Sequence, residues 1–138
     1  MLRAMAEVDL TERIRRALAG QPGIRLALLF GSEARGTARL DSDVDLAIAA
    51  NGVDLLAIAA RLSVMLDREV HVTDLADATV PLLDALVRDA VVVHEGFRGA
   101  AAEWRSKTLT TLETDRPWFE HMRDAYLRRV AEQGFGRG

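Results

Sequence analysis

The chain has 138 residues, 49% of them hydrophobic, with 18 basic and 21 acidic side chains and a formal net charge of −3. That length suits one domain and that apolar share is enough for a core. There is no cysteine, which excludes a disulfide framework and a cysteine zinc site, and the acidic balance argues against direct nucleic-acid binding, which needs a basic surface.

Residues 1–10, MLRAMAEVDL, lack the apolar centre of a signal peptide, and no apolar run approaches transmembrane length. A cytoplasmic protein without membrane contact is expected. Asp9, with Glu12 three residues on, is a helix-start signal. Leu10, Ile14 and Leu18 then recur at helical spacing until Gly20, Pro22 and Gly23 end the helix. Residues 24–30, IRLALLF, have the length and apolar density of a buried strand.

The stretch that follows, FGSEARGTARLDSDVDL at 30–46, carries the chemistry. Gly31 takes backbone angles closed to other residues and lets another group come close. Ser32 and its successors suit the start of a short helix, whose free backbone N–H groups favour an anion such as phosphate. Asp43 and Asp45 are two apart, so on a strand both side chains point to one face. Two carboxylates so placed repel each other unless a cation sits between them, and Mg²⁺ is commonly held by one or two carboxylates plus substrate phosphates. The residues read as a metal–nucleotide site. A second strand runs from Val44 to Ala49.

This stretch resembles the signature of the minimal nucleotidyltransferase domain of the polymerase-beta-like superfamily: Gly-Ser, ten residues, Asp-x-Asp. The segments ARG at 34–36, AR at 38–39 and DSD at 41–43 are similar to the family's usual filling. The resemblance covers roughly residues 10–95 and implies a small mixed β-sheet flanked by helices. It also implies transfer of a nucleoside monophosphate from an NTP to an acceptor, with Mg²⁺ held by Asp43 and Asp45. Gly31 and Ser32 are then expected to bind the outer phosphates. Arg35 and Arg39 either contact phosphate or acceptor or lie on a solvated helix face. Asp41 is expected as a turn or cap residue.

The rest of the domain fits the same order. Asn51-Gly52 is a turn, and residues 53–67 read as a largely buried helix. Arg68-Glu69 turns the chain into a third strand, Val70 to Thr73, with His71 and Thr73 facing one way and the valines the other. Pro81 fits the first turn of a helix over about 80–89. Val91 to His94 is a fourth strand. The fold class is α/β, a mixed sheet with helices packed on it.

The resemblance implies a third acidic residue on the third strand, which completes the metal site and often acts as base. Here Val70-His71-Val72 puts histidine in that place. Three readings stay open. His71 serves as base, since histidine exchanges protons near neutral pH. Asp74 reaches in through a changed register. Or the site binds nucleotide with weak catalysis. His94 and His121 read as structural or surface residues.

Residues 1–98 are expected as the nucleotidyltransferase domain, 99–133 as C-terminal helices and 134–138 as a tail. One helix spans 99–113, and Asp115 with Pro117 signals a second start. Trp118, Met122, Tyr126 and Val130 then fall four apart, with Phe119 and Leu127 beside them. This aromatic stripe either covers the domain or docks a partner, since exposed aromatic patches mark interfaces. Small stand-alone members resemble the antitoxin of a toxin–antitoxin pair. The resemblance implies AMP transfer from ATP to a tyrosine hydroxyl of a HEPN ribonuclease toxin, in a hetero-oligomer. The alternatives are an antitoxin of the same fold acting by occlusion, and a nucleotidyltransferase acting on a small molecule of the aminoglycoside type.

Overall fold

The computed structural model describes residues 2–31 and 43–133. The short helix expected after Gly31 and the tail at 134–138 lie outside them. The described elements run in the order α1 (Leu2–Ala19), β1 (Ile24–Phe30), β2 (Val44–Ala50), α2 (Leu55–Leu66), β3 (Val70–Asp74), a 3₁₀ turn (Leu75–Asp77), α3 (Val80–Asp89), β4 (Val91–Glu95) and α4 (Ala100–Gln133).

The four strands form one sheet in the order β3-β2-β1-β4. β1 is antiparallel to both β2 and β4, while β3 joins β2 in parallel through the α2 crossover. The α/β expectation of a small mixed sheet with helices packed on it therefore holds.

Strand alternation divides the core in two. Val44, Leu46 and Ile48 face a core built with Leu10, Ile14 and Leu18 of α1 and Ile58, Leu62 and Leu66 of α2. Ala47 faces the other way, toward Leu26, Leu28, Leu86 of α3 and Ala100 of α4. A strand of period two in the middle of a sheet covered on both faces must be apolar on both. β2 obeys this from Leu46 onward and departs from it at its second position, where Asp45 stands.

Three features differ from the sequence expectation, and a fourth bears on the two alternatives it left open. α1 starts at Leu2, so Asp9 lies inside the helix instead of capping it. The residues ahead of Asp9 include Leu, Arg, Ala, Met and Glu, which are strong helix formers and extend the helix upstream. α2 is only half-buried: Asp54 caps it by accepting from the Leu56 and Ala57 N–H groups, and Ile58, Leu62 and Leu66 are buried, yet Leu56 is 82% and Val64 83% exposed. One helix face meets the sheet, and these two apolar residues on the other stand in the open. α4 is a single helix that passes through Pro117 instead of breaking into two. Proline lacks the N–H that would bond the carbonyl four residues back, so the helix loses one rung there. Finally, Trp118 and Tyr126 are 65% and 61% exposed, with Met122 and Leu127 about half exposed. These four side chains of the stripe stand largely in the open. The near half of α4 does pack, burying Ala100, Thr108 and Leu112. Among the described residues no helix is long and apolar enough to cross a membrane.

Candidate active site

The end of β1 and the starts of β2 and β3 converge at one edge of the sheet. The antiparallel register sets Phe30 opposite Asp45, and the parallel register sets His71 beside Asp45. Asp45 thus sits on the middle strand of the three, flanked on both sides. Because Val44 points into the core with no exposure, Asp43 and Asp45 must both face the other side. His71 shares that face by the same alternation, since Val70 is buried on the core side.

Gly31 closes the site from the β1 side. Its φ is +80°, and a Cβ built there would lie 2.6 Å from Asp45 Oδ2. The position demands glycine on two grounds, a left-handed backbone and a carboxylate where a side chain would begin. The missing side chain leaves a cradle whose floor is the Asp45 carboxylate. Ser32, Arg35, Arg39 and Asp41 lie outside the described residues.

His71 Nε2 stands 3.3 Å from Asp43 Oδ2 and 3.3 Å from Glu69 Oε1. Which ring nitrogen carries the hydrogen sets whether His71 donates to these oxygens or takes a proton from another group. Asp43, Glu69 and His71 each present one ligand atom, and those atoms lie within 4.8 Å of one another. Asp45 is the more enclosed carboxylate. Burial pushes its carboxyl above the ordinary aspartate range; the His71 ring opposes that shift and the Asp43 carboxylate adds to it.

The structure thus brings Asp43, Asp45, His71 and Gly31 together at this edge and rules out the changed-register reading of Asp74. Asp74 pairs with Ile48, three residues further along β3 and on the opposite face from His71. Its carboxylate accepts from the Ala76 N–H at 2.9 Å, capping the 3₁₀ turn. His94 pairs with Ala27 on the far side of β1, and His121 is exposed on α4.

Glu69 is the residue that the sequence expectation assigned only to a turn. It precedes His71 by two positions, the same spacing as Asp43 and Asp45. That spacing was the available signal. It has meaning only once β3 is known to run parallel to β2, because then the two pairs lie side by side. The carboxylates of Asp43 and Glu69 offer oxygen donors of the kind that a hard divalent cation takes. A cavity of about 430 Å³ opens near the other end of β1, lined by Pro22, Gly23, Asn51, Gly52, Asp54 and Arg61, and none of the described site residues borders it.

Comparison with known proteins identifies the family and the fold. The family model described as polymerase beta, nucleotidyltransferase matches residues 12–96, more than half of the chain and all of the sheet. The chain belongs to this nucleotidyltransferase family. Among curated proteins none matches it significantly. Among solved structures, this nucleotidyltransferase is similar to a chain of a toxin–antitoxin complex with AMP-PNP, at 24% identity and TM-score 0.70 over 85% of this chain and 98% of that one. It is similar to a chain of a mutant MntA–HpeT toxin–antitoxin at 25% identity, TM-score 0.68, covering 84% and 96%. A third likeness is to a chain of a tri-AMPylated Shewanella oneidensis HEPN toxin in complex with MNT antitoxin, at 21% identity and TM-score 0.63 over 91% and 98%.

Proposed function

We propose that this nucleotidyltransferase is an antitoxin that transfers AMP from ATP to a hydroxyl, a tyrosine's by preference, of a HEPN-family toxin and so neutralises it. The observation that carries the reading is the meeting of Asp43, Asp45 and His71 on one face of the sheet beside the Gly31 cradle. The fold likeness to chains of toxin–antitoxin complexes, one with AMP-PNP and one with a tri-AMPylated toxin, supports the choice of nucleotide and of partner.

In this reading Asp43 and Asp45 would hold Mg²⁺, which would supply positive charge to the triphosphate. Gly31 admits the outer phosphates to within backbone reach, and Ser32, Arg35 and Arg39 are assigned to them. The acceptor hydroxyl oxygen bonds to the α-phosphorus, the bond from that phosphorus to the β-phosphate oxygen breaks, and pyrophosphate leaves. The hydroxyl proton passes to the Asp43–His71–Glu69 cluster, with His71 as the assigned acceptor. The exposed half of α4 is assigned to the toxin, and the paired proteins work in the cytoplasm. One observation favours a second reading: an imidazole in the third-carboxylate place suits a weakly catalytic antitoxin that acts by occlusion.

The deciding experiment incubates the protein with ATP, Mg²⁺ and its HEPN partner and reads intact mass. Gain of one AMP unit on the partner, lost in the Asp43→Asn/Asp45→Asn double variant, is the expected result. A stable complex with no mass gain would move the assignment to occlusion.

A further inference from the structure

The site has two clear carboxylates and a third place filled by an imidazole, which is a poor ligand for a hard cation. Glu69 answers that shortage. Its backbone is fixed against β2, because the Val44 N–H donates to the Glu69 carbonyl at 2.8 Å. This bond sets Glu69 alongside Asp43 just as His71 lies alongside Asp45. A glutamate there starts two residues, about 6.6 Å along the strand, ahead of His71. Its extra methylene carries the carboxylate back toward the His71 ring, and Oε1 stops 3.3 Å from Nε2.

Two distances test whether the oxygens can share an ion. A cation of the Mg²⁺ class takes oxygens at about 2.1 Å, so two oxygens on one ion stand at most about 4.2 Å apart. The ligand atoms of Asp43, Glu69 and His71 lie within 4.8 Å of one another. Closing that gap takes small rotations of side chains that are free to move, since the side chains of Glu69 and Asp43 are 68% and 51% exposed.

We propose that Glu69 supplies a further carboxylate oxygen to a cation bound at Asp43, the two carboxylates flanking His71. The carboxylate is thus displaced by two residues along β3 instead of lost. This rests on the reading of Asp43 and Asp45 as a cation site, so the test separates the two.

The probe is Mn²⁺ alone, titrated into the full-length protein and followed by the electron paramagnetic resonance signal of the free ion. Glu69→Gln is expected to weaken Mn²⁺ binding by about ten- to a hundredfold, in the range that loss of a supporting group at a metal site produces. Asp43→Asn is expected to weaken it at least as much. Thermal melts confirm that both variants fold, as substitution of exposed side chains should allow. If Asp43→Asn loses Mn²⁺ while Glu69→Gln binds as wild type, the Glu69 assignment falls and the cation reading stands. If neither variant changes the affinity, both fall. A directly coordinated nitrogen in the pulsed spectrum of bound Mn²⁺, together with wild-type affinity in Glu69→Gln, would give the third place to His71 and overturn the proposal.

Discussion

His71 is the register partner of Asp45 across the parallel pair of β2 and β3, and its Nε2 lies 3.3 Å from Asp43 Oδ2. One imidazole therefore touches the field of both signature carboxylates. His71→Ala is expected to lower the rate of AMP transfer by about a hundredfold, within the range that a positioned proton acceptor contributes. His71→Asp, which restores a carboxylate at the place, is expected to recover much of that loss. The check is the initial transfer rate to the partner under saturating ATP. An unchanged rate in the alanine variant would make His71 a bystander.

Gly31→Ala tests the cradle. The left-handed φ of +80° costs an alanine about 1–2 kcal/mol. Its Cβ would also meet Asp45 Oδ2 at 2.6 Å and force that carboxylate aside. Denaturant unfolding should show the destabilisation, and transfer should fall further than the stability loss explains. A variant with wild-type stability and wild-type rate would contradict the described geometry.

Asp45 predicts a pH dependence whose sign follows from its surroundings. Its carboxyl is held above the ordinary range, chiefly by burial. An acid whose folded-state pKa exceeds its unfolded one binds its proton more tightly in the native state. The stability this contributes is complete below the unfolded pKa and is lost as pH rises through the folded one. In the presence of a chelator, Asp45→Asn is therefore expected to melt above the wild type at pH 7. The gap should close as pH falls toward about 4, the ordinary aspartate value. A variant that melts lower than the wild type at pH 7 would reject the account.

The outer half of α4 predicts a separation of stability from binding. Trp118 and Tyr126 are mostly exposed, so replacing both with alanine should change the unfolding free energy by less than about 1 kcal/mol. Exposed aromatics of this kind carry a large share of binding energy where they meet a partner. Titration calorimetry with the HEPN partner should then show at least a tenfold loss of affinity. Equal affinity would remove this half of the helix from the interface.

Much of the fold was legible because it rests on local pattern. The apolar run at 24–30 and the alternation from Val44 marked two strands, and Pro81 fixed the start of α3 at Val80. The Asp43–Asp45 pair was legible for the same reason, since strand period alone puts both on one face. Other features depend on partners distant in the chain. Glu69 gains its meaning from the parallel register with β2, which no local spacing encodes. Leu56 and Val64 look like core residues by type, and only the packing of α2 on one sheet face shows that they are not. Pro117 signals a helix start by its chemistry, yet the helix on either side of it is long enough to tolerate a missing rung.

The alternation along β2 has one more consequence. Val44, Leu46 and Ile48 are fully buried, while Asp43 and Asp45, interleaved with them, carry the site. Sliding β2 by a single position against its neighbours would push Asp45 into the apolar interior and drive Leu46 and Ile48 into the opposite face, where small Ala47 packs against α3 and α4. A misaligned strand therefore cannot persist as a folded but inactive species; it unfolds instead. The short run from Asp43 to Ile48 acts as a proofreading device for the chain, so that any molecule that has folded has also aligned its chemistry.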